Sequence, residues 1–431
     1  MNQRFRILYL ISLFALLCNS SHALPVSSPN VLVIGDDVEQ SHSTLLSALN
    51  LLDSNVTYKA TTSDAISLIE DGEHFYSALI LLCPRASLDK KLSLSAILNF
   101  VDSGNSLFVA AGHHYSSYTS KIVDSIGIDL DSKGNLMRDH QNVFTDLDTG
   151  DHTYIRAGGM TKSPYLFGES TNSPSQVVFR GPGATLFNDN ELVDSVIWGS
   201  PSSYSGDGNQ ITKVPRAAGH GSVLAAALST RVGGRAAYFG SFEALSNEAV
   251  EKAGAAHEHA IKSFLAWTLG AAGVLRTADV RYECVDDSDV VQDECRVKDF
   301  VNFEMDVQMW EQKSKTWMPF VTDDMQLEFV MLNPWVRTRL HADANGTFRA
   351  KVPIPDQIGV FKFSVQYFRP GVSPVTMEHV VPVRPYWHNE YERFIPMASP
   401  YYVASFSMIG GVFLMGLVLL FANEGQREKE E

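Results

Sequence analysis

The sequence predicts an α/β domain on a parallel sheet, then an antiparallel β-sandwich-like domain, then one membrane-crossing helix. Three observations predict it. In the first half, short apolar runs without polar alternation are separated by amphipathic stretches at helical spacing, as in a parallel sheet covered on both faces. After Arg276, strand-like runs follow one another without helices, several alternating in period two. Near the end, Val403 to Ala422 holds no Asp, Glu, Lys, Arg or His and is about as long as one bilayer span. A chain of 431 residues has room for two or three domains with real cores.

Residues 24–273 are assigned to the α/β domain. Val31-Leu-Val-Ile34 reads as its first strand, ending at Gly35-Asp36-Asp37. Ser41 to Leu52 then sets Leu45, Leu46, Leu49 and Leu52 at helical spacing. Ala78 to Cys83 is a second strand, Leu92 to Val101 a helix closed by Ser103-Gly104, and Ser106 to Gly112 a third strand. Gly134 to Gly221 is loop-rich. Strand character returns at Val223 to Leu228 and Ala236 to Phe239, and Leu245 to Leu269 is one long helical pattern closed by Gly270 and Gly273.

Residues 274–384 form the β-rich domain. Its strand-like runs are Val301 to Trp310, Met325 to Met331, Thr347 to Val352, Val360 to Tyr367 and Met377 to Val383. Ala344-Asn-Gly346 and Arg369-Pro-Gly371 supply turn signals between them. Residues 385–402 make a Pro- and aromatic-rich juxtamembrane stalk, 403–422 the transmembrane helix and 423–431 a charged cytosolic tail.

The N-terminus sets the compartment. Arg4 and Arg6, the apolar run Ile7 to Cys18, and small residues at Ser21 and Ala23 describe a cleavable signal peptide over 1–23. With one late span, this gives a single-pass type I topology with the bulk of the chain in a lumen. Asn55-Val-Thr57 and Asn345-Gly-Thr347 are glycosylation sequons, both expected on surface loops. Of the cysteines left after cleavage, Cys284 and Cys295 flank an acidic loop. Bridging them closes a loop worth about 3 kcal/mol. Cys83 ends an apolar strand, where a buried free thiol is preferred to a redox role. Lys429 and Arg427, third and fifth from the end, are similar to a dilysine-type endoplasmic-reticulum retrieval signal; the alternative is a merely solvated tail. Ser407 and Gly411, four apart in the span, allow close helix packing, the alternative being a lone tether.

The balance of 34 Lys+Arg against 49 Asp+Glu, net −15, opposes nucleic-acid binding. The predicted leader carries +2 and the tail −2, so the body between them keeps −15. No G-x-G-x-x-G follows the first strand, where Asp36 and Asp37 stand instead. No G-x-S-x-G elbow exists, and Gly219-His-Gly-Ser222 precedes a strand rather than forming a strand-to-helix turn. After the third strand come His113, His114 and Tyr115 with no cysteine. This is the scaffold of a flavodoxin- or amidotransferase-like domain without its nucleophile. His113-His114 and His257-Glu-His259 lack metal-ligand spacing and read as satisfied polar histidines. Asp129-Leu-Asp131, Asp146-Leu-Asp148 and Asp287-Ser-Asp289 fit the Asp-X-Asp pattern of sugar-diphosphate enzymes, a cheap match in so acidic a chain. No catalytic, cofactor-binding or metal-ligating residue is assigned, and no cofactor is expected.

Certain runs carry a family resemblance. Gln326-Leu-Glu-Phe-Val-Met-Leu-Asn-Pro-Trp-Val-Arg-Thr338, Gly359-Val-Phe-Lys-Phe-Ser-Val-Gln-Tyr367 and Tyr391-Glu-Arg-Phe-Ile-Pro396 are the most specific. Val31 to Asp36, Gly104 to Val109 and Phe179-Arg-Gly181 also fit, as does the order of parts. Over nearly its whole length the chain resembles the DDOST family, the non-catalytic type I subunit of the endoplasmic-reticulum oligosaccharyltransferase. The resemblance implies membership of the complex that moves a preassembled glycan from dolichyl diphosphate to Asn-X-Ser/Thr asparagines. It implies an active site on a separate multispanning subunit, with ribophorin-type and defender-against-death subunits as further partners. It also implies an assembly and stability role here, with help in lipid-linked oligosaccharide or acceptor binding as an addition. No catalytic residue carries over. The Cys284/Cys295 loop does not match the family pattern, so its bridge rests on the lumenal argument. Alternatives are a membrane-anchored lumenal glycosyltransferase using an Asp-X-Asp pair, or a glycan-lipid-binding module stacking sugars on Trp387 and Tyr391.

Overall fold

The computed structural model describes residues 29–36, 38–61, 66–70, 73–82, 88, 91–167, 176–187, 190–207, 214–312, 314–391 and 395–422. The predicted signal peptide, Cys83 and the tail with Arg427 and Lys429 lie outside the described residues.

The first half is built on an eight-stranded sheet. In chain order its elements are β1 (Asn30–Ile34), α1 (Ser43–Leu51), β2 (Asn55–Lys59), β3 (Ala78–Leu82), α2 (Leu94–Asp102), β4 (Ser106–Ala110), α3 (Ser117–Ile126), β5 (Gly159–Met160), β6 (Val193–Trp198), β7 (Val223–Ser229), β8 (Arg235–Phe239), α4 (Asn247–Ala253) and α5 (Ala255–Thr268). The spatial order is β5-β6-β7-β8-β4-β3-β1-β2. Strands β2, β1, β3, β4 and β8 pair in parallel. Counted in chain order these five run 2-1-3-4-5, the flavodoxin-like winding.

The parallel sheet that the sequence predicts is extended at one side by antiparallel strands, β5, β6 and β7. The cause is connection length. A parallel neighbour needs a crossover of a dozen or more residues, and the short turn Thr230–Gly234 between β7 and β8 permits only a hairpin. The single long helix expected over Leu245 to Leu269 is two helices, broken at Gly254 with φ of 88°.

The apolar runs lack polar alternation because each strand serves two cores. Val31 and Val33 enter one cluster with α1 and α5; Leu32 and Ile34 enter the other with α2 and α3. Serines start three of the helices: Ser93, Ser116 and Ser246 each accept the backbone N–H three residues on, at 3.2, 3.1 and 3.3 Å.

The second half is a two-sheet sandwich. Its strands are β9 (Leu275–Val285), β10 (Val291–Gln292), β11 (Cys295–Arg296), β12 (Phe300–Glu311), β13 (Thr316–Pro319), β14 (Gln326–Val330), β15 (Pro334–Arg339), β16 (His341–Ala342), β17 (Thr347–Pro353), β18 (Gly359–Tyr367) and β19 (Val375–Arg384). One sheet runs β10-β9-β12-β17-β16, with β13 also on β12; the other runs β11-β19-β18-β14-β15. All pairs are antiparallel except β11 on β19. Along β12, Val301, Phe303, Met305 and Val307 point into the core, where Phe303 and Phe329 pack on Phe363 at 4.9 and 5.1 Å. The alternate residues Glu304 and Asp306 face out, Glu304 pairing with Arg349 at 2.7 Å and Asp306 with Arg281 at 3.1 Å.

The two domains meet through the turn joining β18 to β19. Trp267 Nε1 donates to the Gly371 carbonyl at 3.0 Å, and Ser373 N–H donates to the Gly273 carbonyl at 2.7 Å. Gly273 and Gly371 both have positive φ, and a Cβ on Gly273 would meet the Gly371 carbonyl oxygen at 2.0 Å, so only glycine permits this approach. Behind the junction the buried guanidinium of Arg235 donates to the carbonyls of Trp267, Ala272 and Gly273. Burial lowers its pKa to about 9, which still leaves it cationic at neutral pH.

After β19 the chain reaches α6 (Ser399–Ala422), a mostly apolar helix of 24 residues exposed along almost its whole length. At 1.5 Å per residue it is about 36 Å long, enough for a hydrocarbon core of about 30 Å.

Candidate functional surfaces

In α/β sheets of this winding, ligands bind outside the carboxyl ends of the parallel strands. Here that edge carries Gly35-Asp36 after β1, Ala111 to His114 after β4 and Gly240 to Glu243 after β8. Asp36 accepts from Thr61 Oγ1 at 2.6 Å. His42 stacks on Phe242 at 4.3 Å with its Nε2 against the Phe242 carbonyl at 3.2 Å, and burial lowers its pKa.

The next group joins β4 to β8. His113 N–H donates to Glu243 Oε1 at 3.2 Å. Ser241 Oγ is buried and accepts from Arg180 N–H at 3.0 Å and Ala244 N–H at 3.1 Å. Burial, followed by His114, lowers the His113 pKa. His113 Nδ1, Arg180 Nε and Glu243 Oε2 are buried without a hydrogen-bond partner. The crevice thus gathers a carboxylate, an imidazole and a guanidinium, while its hydroxyl, Ser241, is occupied in holding two backbone amides.

Of the other histidine pair, His259 is exposed and His257 is a packing feature. His257 Nδ1 accepts from Val178 N–H at 3.3 Å and Nε2 donates to the Ala244 carbonyl at 2.9 Å, and burial lowers its pKa. Four of the Asp-X-Asp carboxylates are engaged locally. Asp129 pairs with Arg216. Asp131 is buried and accepts from Ser205 Oγ at 2.5 Å. Asp148 accepts three backbone N–H groups from Gly150 to Thr153. Asp289 pairs with Lys351 at 2.5 Å. Among the described residues, no three His, Cys, Asp or Glu side chains gather as a metal site.

The sequons sit differently from each other. Asn345 is exposed in the turn between β16 and β17. Asn55, expected on a loop, instead begins the exposed edge strand β2, its Nδ2 donating to Asn30 Oδ1 at 3.2 Å. The apolar run of β1 recruits Asn55 to Lys59 as its outer neighbour. Cys284 and Cys295 are disulfide-bonded, with Cα atoms 5.1 Å apart, and so tie β9 of one sheet to β11 of the other. Ser407 donates to the Ala404 carbonyl at 2.9 Å on α6, and the space beside Gly411 is open.

The end of the sandwich that leads to α6 carries a knot of charges with no signal in the sequence. Pairing of β11 with β19 sets Arg296 beside Arg384. Arg384 grips both oxygens of Glu390, at 2.8 and 3.0 Å, and Glu390 also accepts the Trp387 N–H at 2.7 Å. Arg384 chiefly, then that amide, lowers the Glu390 pKa to about 2. Arg296 grips Asp299 at 2.8 and 2.9 Å and lies over the Tyr386 ring at 4.9 Å. The first part of the stalk is thereby fastened to the sandwich. On the outer face of β9, β12 and β17 a groove of about 690 Å³ is lined by Arg281, Tyr282, Glu304, Arg349 and Lys351 among others.

Two family descriptions match this chain: the OST48 N-terminal domain over residues 22–271 and the OST48 middle domain over residues 283–423. The protein named dolichyl-diphosphooligosaccharide–protein glycosyltransferase 48 kDa subunit from Arabidopsis thaliana is 32% identical over 435 residues, covering 96% of this chain and 98% of its own. Its namesake from Danio rerio is 33% identical over 417 residues, covering 93% and 92%. That from Caenorhabditis elegans is 31% identical over 408 residues, covering 91% and 91%. A solved GMP synthase-type structure from Thermoplasma acidophilum aligns with a TM-score of 0.29 at 12% identity, covering 56% of this chain and 94% of its own, a likeness too loose to carry function.

Proposed function

The chain belongs to the OST48 family, and on that premise we propose that it is one subunit of the oligosaccharyltransferase complex, with no active site of its own. The observation that carries this is the end-to-end match, through both domains, to relatives named as the 48 kDa subunit of that transferase. The chain serves assembly and stability of the complex, which transfers a preassembled glycan from dolichyl diphosphate to Asn-X-Ser/Thr asparagines. Its partners are a multispanning catalytic subunit, ribophorin-type subunits and the defender-against-death subunit.

The crevice chemistry supports an accessory role. The position after β4, where a nucleophile would stand, is Gly112-His113, and Ser241 is engaged in capping. The glycosyltransferase alternative loses support because Asp131 and Asp148 are spent on Ser205 and on turn amides. Helix α6 is the single span of a type I protein of the endoplasmic-reticulum membrane, with both domains in the lumen. Ser407 and Gly411 form a face for a neighbouring helix, Arg427 and Lys429 act in retrieval, and Asn55 and Asn345 accept glycans.

A mild-detergent pulldown of the tagged full-length chain from endoplasmic-reticulum membranes, read by mass spectrometry, tests this. A multispanning transferase and ribophorin-type subunits at near-equal amounts are expected. Recovery of the chain alone from intact membranes overturns the reading.

A further inference from the structure

The run Gln326 to Thr338 forms the β14–β15 hairpin, and strand register places its tip. Val330 pairs with Lys362, so the tip beyond it lies level with the start of β18. A Cβ on Gly359 would meet the Met331 methyl at 2.8 Å. Gly359 in turn pairs with Val383, the next-to-last residue of β19. The tip therefore lies at the end of the sandwich from which the chain departs for α6. The Arg384–Glu390 grip holds the stalk to this end as far as Glu390. Nine further residues lead to Ser399, a reach of at most about 30 Å.

This end is unusually apolar. Leu332 is 92% exposed, Val360 61%, Trp387 59%, Ile358 55% and Trp335 54%. Scattered exposed apolar residues are ordinary, but here five share one end. Two of them are tryptophans, whose amphipathic rings favour the boundary between headgroups and acyl chains. Charges nearby arrive paired: Arg337 with Glu328 at 2.5 Å, Lys362 with Glu378 at 2.8 Å and Lys298 with Asp356 at 3.1 Å. Approach to a low-dielectric surface then strips no lone ion among these groups of water.

We propose that this end of the sandwich is a membrane-contacting surface, with Leu332 and Trp335 of the hairpin tip seated in the headgroup boundary of the bilayer that α6 crosses. The occupant is lipid, because the patch is continuous along the chain with the membrane helix and carries the residue types of an interfacial belt. The contact gives the protein a second attachment beside its span and fixes the tilt of the sandwich.

The test is photocrosslinking in native membranes. A benzophenone amino acid replaces Leu332 in the full-length chain, and a second variant carries it at Val214, which is 93% exposed in the first domain. After irradiation, mass spectrometry of the purified chain is expected to show a phospholipid adduct at position 332 and none at 214. A crosslink from 332 to another polypeptide overturns the proposal in favour of a protein-docking tip. Absence of any adduct overturns it in favour of a solvated tip. Subunits that co-purify from the same membranes report on complex membership separately, so the two can fail independently.

Discussion

The two domains bury their strands in opposite ways. In β1 every residue from Val31 to Ile34 is buried, odd positions in one core and even positions in the other. In β12 alternate residues from Val301 to Val307 are buried, and Glu304 and Asp306 between them face outward in ion pairs. A sheet covered on both faces has only its strand ends left for binding, and there His113, Arg180 and Glu243 gather. A sandwich keeps its outer faces and both ends free, and here the ends join the other domain and lead to the membrane. The first domain has no cross-link among its described residues and depends on interior polar partners such as Arg235 and His257. The second is tied by a disulfide and a ring cluster.

If the domains are as separate as this contrast implies, calorimetry of the full chain shows two transitions that can be moved one at a time. The largest displacement is expected from Phe303→Ala, which empties the centre of the ring cluster and costs the sandwich transition about 4 kcal/mol. Equal movement of both transitions would sink the separation. Replacing both cysteines, Cys284→Ser with Cys295→Ser, is expected to cost about 3 kcal/mol through the freed loop, again in the sandwich alone. Guanidinium titration of the pair reads this, and an unchanged midpoint would show that the sheets need no tie.

The smallest effect sharpens the comparison through pH. His42 and His257 have lowered pKa values in the folded first domain. A base lowered on folding binds fewer protons folded than unfolded. Its contribution is fully present above pH 6.5 and is lost as pH falls toward the folded-state value, by at most about 1.4 kcal/mol per pH unit for each histidine. His379 in the sandwich is lowered too, by burial, but is half-buried beside Tyr282. Melting between pH 7 and 5 should therefore lower the first transition more than the second. His257→Gln, whose amide can accept from Val178 and donate to Ala244, should flatten that slope. A slope indifferent to the substitution would assign it to other groups.

Legibility in the sequence follows the burial pattern. β1, β3, β4 and the period-two strands β12 and β18 are plain in the residues because a core writes its period into the chain. β2 is only faintly legible: Asn-Val-Thr-Tyr-Lys alternates in period two, but over five residues that include a glycosylation sequon, and as a mostly exposed edge strand it buries none of them fully. β9 is hidden because it is polar over most of its length, Leu275, Cys284 and Val285 being its fully buried residues. α3 carries a signal, Tyr118, Ile122, Val123 and Ile126 on one face, diluted by the serines between. Of the site, His113 is visible as a residue but not as a neighbour. Arg180 lies between β5 and β6, and Glu243 follows β8, so only the winding joins them. Arg296, Arg384 and Glu390 are hidden for the same reason, since their meeting depends on a parallel pair that the sequence does not announce.

The domain junction lies at the far end of the sandwich from the stalk, since Leu275 pairs with Met309 near the close of β12 while Val285 pairs with Phe300 at its start. Twelve residues of β12 at about 3.3 Å each make a pillar of up to about 40 Å. If the stalk end meets the bilayer as proposed, the first domain stands at the far end of this pillar, up to about 40 Å along the strands from that contact.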